Sequence, residues 1–169
     1  MTISMHSASV PVYLTMLGNL SKWLDKAVVH AQANDSDPES LLAARLAPDM
    51  LPLLRQVQIA CDSAKFGVAR LAKGAAPTFD DSETTLAALQ QRIGATLAYI
   101  KSVPREEVDG SEARLVTVPR RTGDPLQFTG EQYLVHFALP NFYFHITTAY
   151  ALLRHNGVEL GKSDYLRGQ

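Results

Sequence analysis

The sequence lacks most of the features that give a function away. It has one cysteine, Cys61, in 169 residues. No internal disulfide can form, and no cysteine pair can hold a metal. Its neighbours Ile59, Ala60 and Ala64 are apolar, which marks a buried, inert thiol. There is no excess charge of either sign: 16 Lys and Arg stand against 17 Asp and Glu, a net of −1. Such a balance gathers neither polyanionic nucleic acid nor an anionic membrane. The nearest basic group, Arg114, Arg120 and Arg121, reads as a solvated loop. No apolar run is long enough to cross a bilayer, and no basic-then-apolar leader opens the chain. The expectation is a cytoplasmic protein with no nucleic-acid or membrane partner. Also missing are the Gly-x-Ser-x-Gly elbow, a phosphate-cradling loop, a dinucleotide fingerprint and any His-x-x-His or His-x-x-x-His pair.

What is present is ordinary globular composition, 46% apolar and 20% charged, in a length that fits one core. The expectation is a single domain over residues 1–169. Apolar residues recur at helical spacing from about Val10 to Ala33, with Ser9 as cap and Pro11 at an early position. Asn34 to Pro38 breaks the chain, and a short helical piece follows to Leu46. A second long helix reads from Pro48 or Asp49 to Lys73, with Asp49 suited to its cap and Gly74 as its stop. Its core stripe is Met50, Leu53, Leu54, Val57, Ala60, Cys61, Ala64, Val68 and Leu71. A third opens at Asp81 and runs to Val103, where Pro104 ends it. Leu115–Val118 and Leu126–Thr129 are β-prone around a turn at 121–125, which predicts a hairpin that leans on the helices. A fourth long helix runs from Gly130 to His155, bent by Pro140. The fold class is therefore all-α: four long helices with a small β-hairpin before the last.

The last helix is where chemistry can sit. Asn141, His145 and Thr148 interrupt a seam otherwise made of Leu134, Ala138 and Leu152. Buried polar groups need partners, so these three form an internal network or line a wet pocket. His136 faces away from His145 on the same helix. Asp62 and Lys65 read as an i,i+3 surface pair.

Several segments together resemble a known family. They are Ser7–Tyr13, Ala44–Met50, Arg55–Lys65, Leu139-Pro-Asn-Phe-Tyr-Phe-His145 and Thr148–Leu166. The combination resembles a bacterial and fungal family known as domain of unknown function 1993 (DUF1993), a branch of the DinB/YfiT-like superfamily. The resemblance implies an up-down-down-up four-helix bundle and a homodimer. It also implies an ancestral divalent-metal site of three histidines, one from the second helix and two from the last. Carried onto this chain, His145 begins the pair, but Thr148 and Ala149 stand where its partner belongs. Gln56 stands at the second-helix position. One ligand of three remains, a degenerate metal site, so no cofactor is expected and a divalent metal is only a remote alternative.

The leading expectation is a small-molecule pocket around His145 without a metal. His145 acts there as catalytic acid or base, with Gln56, Asn141, Thr148, Tyr13 and Tyr143 as ligand-binding residues and Trp23 or Phe144 as further roof. The first alternative is a structural or interaction dimer with no active site. The second is a residual metal enzyme in which His30, Asp49, Asp62 or Glu131 joins His145.

Overall fold

Helix α1 (Met5–Ala33) begins where Ser4 and Ser7 bond each other's backbone and side chain in a capping box. It starts earlier than the apolar pattern suggested. Ser9 is no cap: it lies buried in the helix and donates to the Met5 carbonyl at 2.6 Å. The structure, a computed structural model, describes residues 3–167; the outer two residues at each end of the expected 1–169 unit lie outside the described residues. A 3-10 turn (Pro38–Ala43) follows, then α2 (Leu53–Ala72), α3 (Leu86–Ser102) and the single turn α4 (Arg105–Val108). Strands β1 (Leu115–Val118) and β2 (Leu126–Thr129) pair antiparallel. After them come α5 (Gly130–Tyr133), a π turn (Leu134–Ala138), α6 (Leu139–His155) and α7 (Lys162–Arg167).

The mostly helical fold and the hairpin match expectation, and both strands fall on the expected residues. Besides that of α1, two helix starts do not. α2 begins at Leu53, not Pro48 or Asp49, because Pro52 restricts Leu51 to extended backbone and takes the N-cap position itself. Asp49 caps nothing there. α3 begins at Leu86, not Asp81. Asp81 sits at φ 56°, and Asp81 and Glu83 turn inward to hold Arg92. Thr85 then caps the helix by accepting from Ala88 N, and Glu39 accepts from Leu86 N at 2.7 Å.

Pro140 disturbs the last helix as expected, but through a π turn. Proline has no N–H to donate, and its ring crowds the carbonyl four residues back. Widening the preceding turn removes that clash, and Leu139 N reaches back to Leu134 O. α7 was not foreseen. It docks on α1 through Trp23, whose indole donates to Asp164 O and stacks on Tyr165 at 5.6 Å.

α1 packs against α3 and α6, and α2 packs against the same two. One apolar cluster runs through all of them and includes Leu17, Trp23, Val57, Ile93, Phe142 and Leu152. Cys61 is buried in it, and burial pushes its thiol up to about 12. No helix among the described residues is long and apolar enough to cross a membrane.

Two glycines are fixed by close approach. A Cβ on Gly67 would lie 2.5 Å from the Tyr13 hydroxyl, and one on Gly130 would lie 1.9 Å from the Ser111 carbonyl oxygen. A backbone atom cannot swing aside. Gly130→Ala is therefore expected to destabilise by about 3 kcal/mol or more. Gly94, exposed within α3 with open space around it, is the control: Gly94→Ala is expected to stabilise by about 0.5–1 kcal/mol. Urea unfolding of the two variants checks both signs.

Candidate functional site

The site grows from the face that α2 turns toward α6. Gln56, Ile59, Ser63, Phe66 and Arg70 recur at intervals of three and four, so they share that face. Asn141 and His145 lie one turn apart on α6 opposite them. The result is two polar pairs across one helix–helix contact.

The first pair is Gln56 and His145. The imidazole Nδ1 lies 2.7 Å from Gln56 Oε1. The amide's other end, Nε2, donates to the Leu51 carbonyl at 3.0 Å. A carbonyl only accepts, so this bond fixes which way the amide points. Gln56 Oε1 must then accept from His145, and the proton sits on Nδ1. Nε2 is left as a bare basic nitrogen with no partner among the described residues. Gln56 is 1% exposed and His145 8%. Burial holds the His145 pKa below its ordinary value, so the ring is neutral near pH 7. Phe144 sets its ring edge-on to the imidazole at 5.1 Å.

The second pair is Ser63 and Asn141, whose Nδ2 donates to Ser63 Oγ at 2.7 Å. This pair borders a cavity of about 190 Å³ between α2, the π turn and the hairpin. Ile59, Phe66, Tyr133 and Phe137 form its apolar walls, with Arg70 at one side. Arg70 NH1 donates to Tyr133 Oη at 3.1 Å, and that hydroxyl donates to Phe66 O at 3.2 Å. Asp62 also lines the cavity, but its charge is answered twice. Lys65 Nζ and Arg92 NH2 both reach its Oδ1, at 2.9 and 2.8 Å. The Asp62–Lys65 pair exists as expected, although Lys65 is buried rather than on the surface.

The expected site residues therefore separate. Gln56 and His145 are brought together, and Asn141 sits a turn away at the cavity. Thr148 is buried on the same face, but its hydroxyl donates to its own helix at Phe144 O, 2.7 Å. Tyr13 is fully buried in the core, edge-on to Phe142 at 4.9 Å. Its hydroxyl has no hydrogen-bond partner among the described residues, and burial pushes its pKa up. Tyr143 is 39% exposed and lines a different depression, with Pro11, Val12, Thr15 and Met16. Trp23 serves α7. Neither Tyr13 nor Tyr143 lines the cavity at Asn141. Sequence reasoning missed Ser63 and Arg70. Their signal was present: with Gln56 they place a polar residue at every seventh position along one face of α2.

The surroundings of His145 bear on the metal site that the family resemblance implies. Gln56 meets His145 as a neutral amide, and no group of three His, Cys, Asp or Glu side chains gathers closely enough to hold a metal among the described residues. Such a donor set does not fit a divalent-metal centre.

His145 makes stability depend on pH with a definite sign. Its folded pKa lies below the ordinary 6.5, so as pH falls through that region the unfolded chain takes up a proton that the native chain resists. Stability drops as pH falls. Asp81 and Glu83, held below their ordinary carboxylate values mainly by the Arg55 and Arg92 hydrogen bonds, act only at lower pH. His145→Gln is expected to flatten the slope of unfolding free energy between pH ~7.5 and ~5.5; an unchanged slope measured by urea titration would contradict the assignment.

Comparison with known proteins comes down to three findings. A comparison with curated proteins gives no match. A crystal structure of a DinB family member protein from Shewanella denitrificans is similar at 46% identity and a TM-score of 0.86, over 95% of this chain and 90% of that one. The model of DUF1993, a domain of unknown function, matches residues 5–166. With that match spanning nearly the whole chain, the protein belongs to the DUF1993 family.

Proposed function

We propose that this DUF1993 protein binds a small molecule along the contact between α2 and α6, without a resident metal. The observation that supports the reading best is the cavity at Ser63 and Asn141, because a preformed hollow with a few convergent polar groups is the usual form of a ligand site. His145 lies four residues beyond Asn141, about 6 Å along the helix. A ligand seated in the cavity and extending one turn meets its Nε2, which accepts a hydrogen bond or a proton. The reading takes the chain as one domain and the four long helices as a four-helix bundle. The packing of α1 and α2 each against both α3 and α6 supports this arrangement. Gln56 at the second-helix ligand position supports the metal-free form of the site.

A second reading is favoured by one observation. Leu51 and Phe144 flank the His145 pair and are 44% and 55% exposed, and Val135 on the π turn is 50% exposed. These apolar side chains suit cover by a second copy of the chain. In that case the polar pairs only fix helix register.

Two variants separate the readings. Asn141→Leu removes the cavity's polar edge and is expected to weaken binding of any fragment that shifts the Ser63 and Asn141 NMR signals by about tenfold or more, the worth of one good hydrogen bond. Phe144→Glu is expected to leave that binding in place. A fragment screen that never perturbs these signals, together with a Phe144→Glu chain that sediments as monomer where the parent is a dimer, would favour the interface reading instead.

A further inference from the structure

The polar groups of the cavity are unevenly matched. Arg70 is half-buried in the last turn of α2 and takes part in none of the ion pairs formed among the described residues. Its only side-chain hydrogen bond among the described residues runs from NH1 to Tyr133 Oη. A guanidinium has five N–H donors, so an edge of the fork stays available. The group is also held in place. Its centre lies 4.8 Å from the Phe66 ring centroid and 5.8 Å from that of Tyr133. Tyr133 is itself fixed, 1% exposed, stacked on Phe137 and donating to the Phe66 carbonyl. The one acid in the cavity lining, Asp62, already faces Lys65 and Arg92, so the cavity has one cation in surplus.

Shape limits what can answer that charge. At about 190 Å³ the hollow has the volume of roughly six liquid waters. It is smaller than the ~300–1,000 Å³ of sites for drug-sized ligands, which favours a small ligand. Its walls are Ile59, Phe66, Phe137 and Val118. Apolar walls and a single unpaired guanidinium suit a monoanion with a compact apolar body. A planar carboxylate matches the fork by two parallel hydrogen bonds, and a flat ring matches the aromatic walls.

We infer that the cavity between α2, the π turn and the hairpin takes a small aromatic monocarboxylate, with the carboxylate on the free edge of Arg70 and the ring between Phe66 and Phe137. Asn141 lies at the far edge and bonds a polar substituent on the ring. Tyr133 is a positioning residue that aims the guanidinium. The inference rests on the small-molecule reading above and adds the chemical class of the ligand.

The probes are benzoate and benzamide, equal in shape and different in charge, titrated by NMR against the full chain. Benzoate is expected to shift the Ser63 and Asn141 signals and to bind at least tenfold more tightly than benzamide. Arg70→Gln is expected to remove that preference while benzamide affinity stays within about twofold. Tyr133→Phe keeps the ring and its packing, so it is expected to reduce the benzoate preference several-fold without unfolding the chain, as its melting temperature checks. Equal binding of the two probes, or a preference unchanged in Arg70→Gln, overturns the carboxylate assignment and leaves the small-molecule site standing. Failure of both probes to shift the cavity signals, when other fragments do shift them, also overturns it. Failure of every fragment there removes the site reading along with it.

Discussion

The contact between α2 and α6 is the constraint on which the candidate site depends. Two polar pairs cross it, and a polar group inside a helix contact stabilises only when it finds its partner. Gln56 with His145 and Ser63 with Asn141 can both form only in one rotation and one register of the two helices. A slide by one residue would leave four buried or half-buried polar groups unmatched. Pro140 helps to set that register. The π turn that relieves its clash inserts an extra residue ahead of α6, and such turns recur at functional sites. Upstream of Pro140, Tyr133 and Phe137 face the cavity. Downstream, Asn141 and His145 face α2.

A second network holds the opposite side of α2. Arg92 is almost fully buried and meets Asp62, Asp81 and Glu83 at 2.7–2.9 Å, with Phe79 stacked 4.6 Å from its centre. Burying a guanidinium costs free energy, but the three carboxylates outweigh that cost and hold the Arg92 pKa above its ordinary value; a buried ionic cluster is still better evidence of specificity than of stability. Its effect is to pin the segment between α2 and α3. The two networks share Asp62, which Arg92 and Lys65 neutralise on behalf of the cavity it borders. Arg70 stays unpaired for that reason.

Much of the fold was legible because period and punctuation agree over long stretches. Leu115–Val118 and Leu126–Thr129 are short, β-prone and separated by turn residues, and both form as read. The helix starts were misread where a local rule met a tertiary demand. Pro52 sets the α2 boundary, and the Asp81-Ser82-Glu83 run has the composition of a helix start although its carboxylates serve Arg92. Of the site, Gln56, His145 and Asn141 were legible because they are polar residues on apolar faces. Tyr13 and Tyr143 fall outside the cavity lining, since an aromatic residue fits a core, a rim or a pocket equally well until the rotation of its helix is known. Ser63 and Arg70 escaped notice because α2 has two buried faces, and the apolar stripe through Val57, Ala64 and Val68 drew attention from the other.

The central claim is that the α2–α6 contact holds a small-molecule site bounded by Ser63, Arg70 and Asn141. A crystal structure of the protein grown with benzoate tests it most directly. The account predicts a ring between Phe66 and Phe137 with its carboxylate on Arg70, and His145 still bonded to Gln56 through Nδ1. A cavity that holds only water or closes around Tyr133, with benzoate bound elsewhere or not at all, would contradict it.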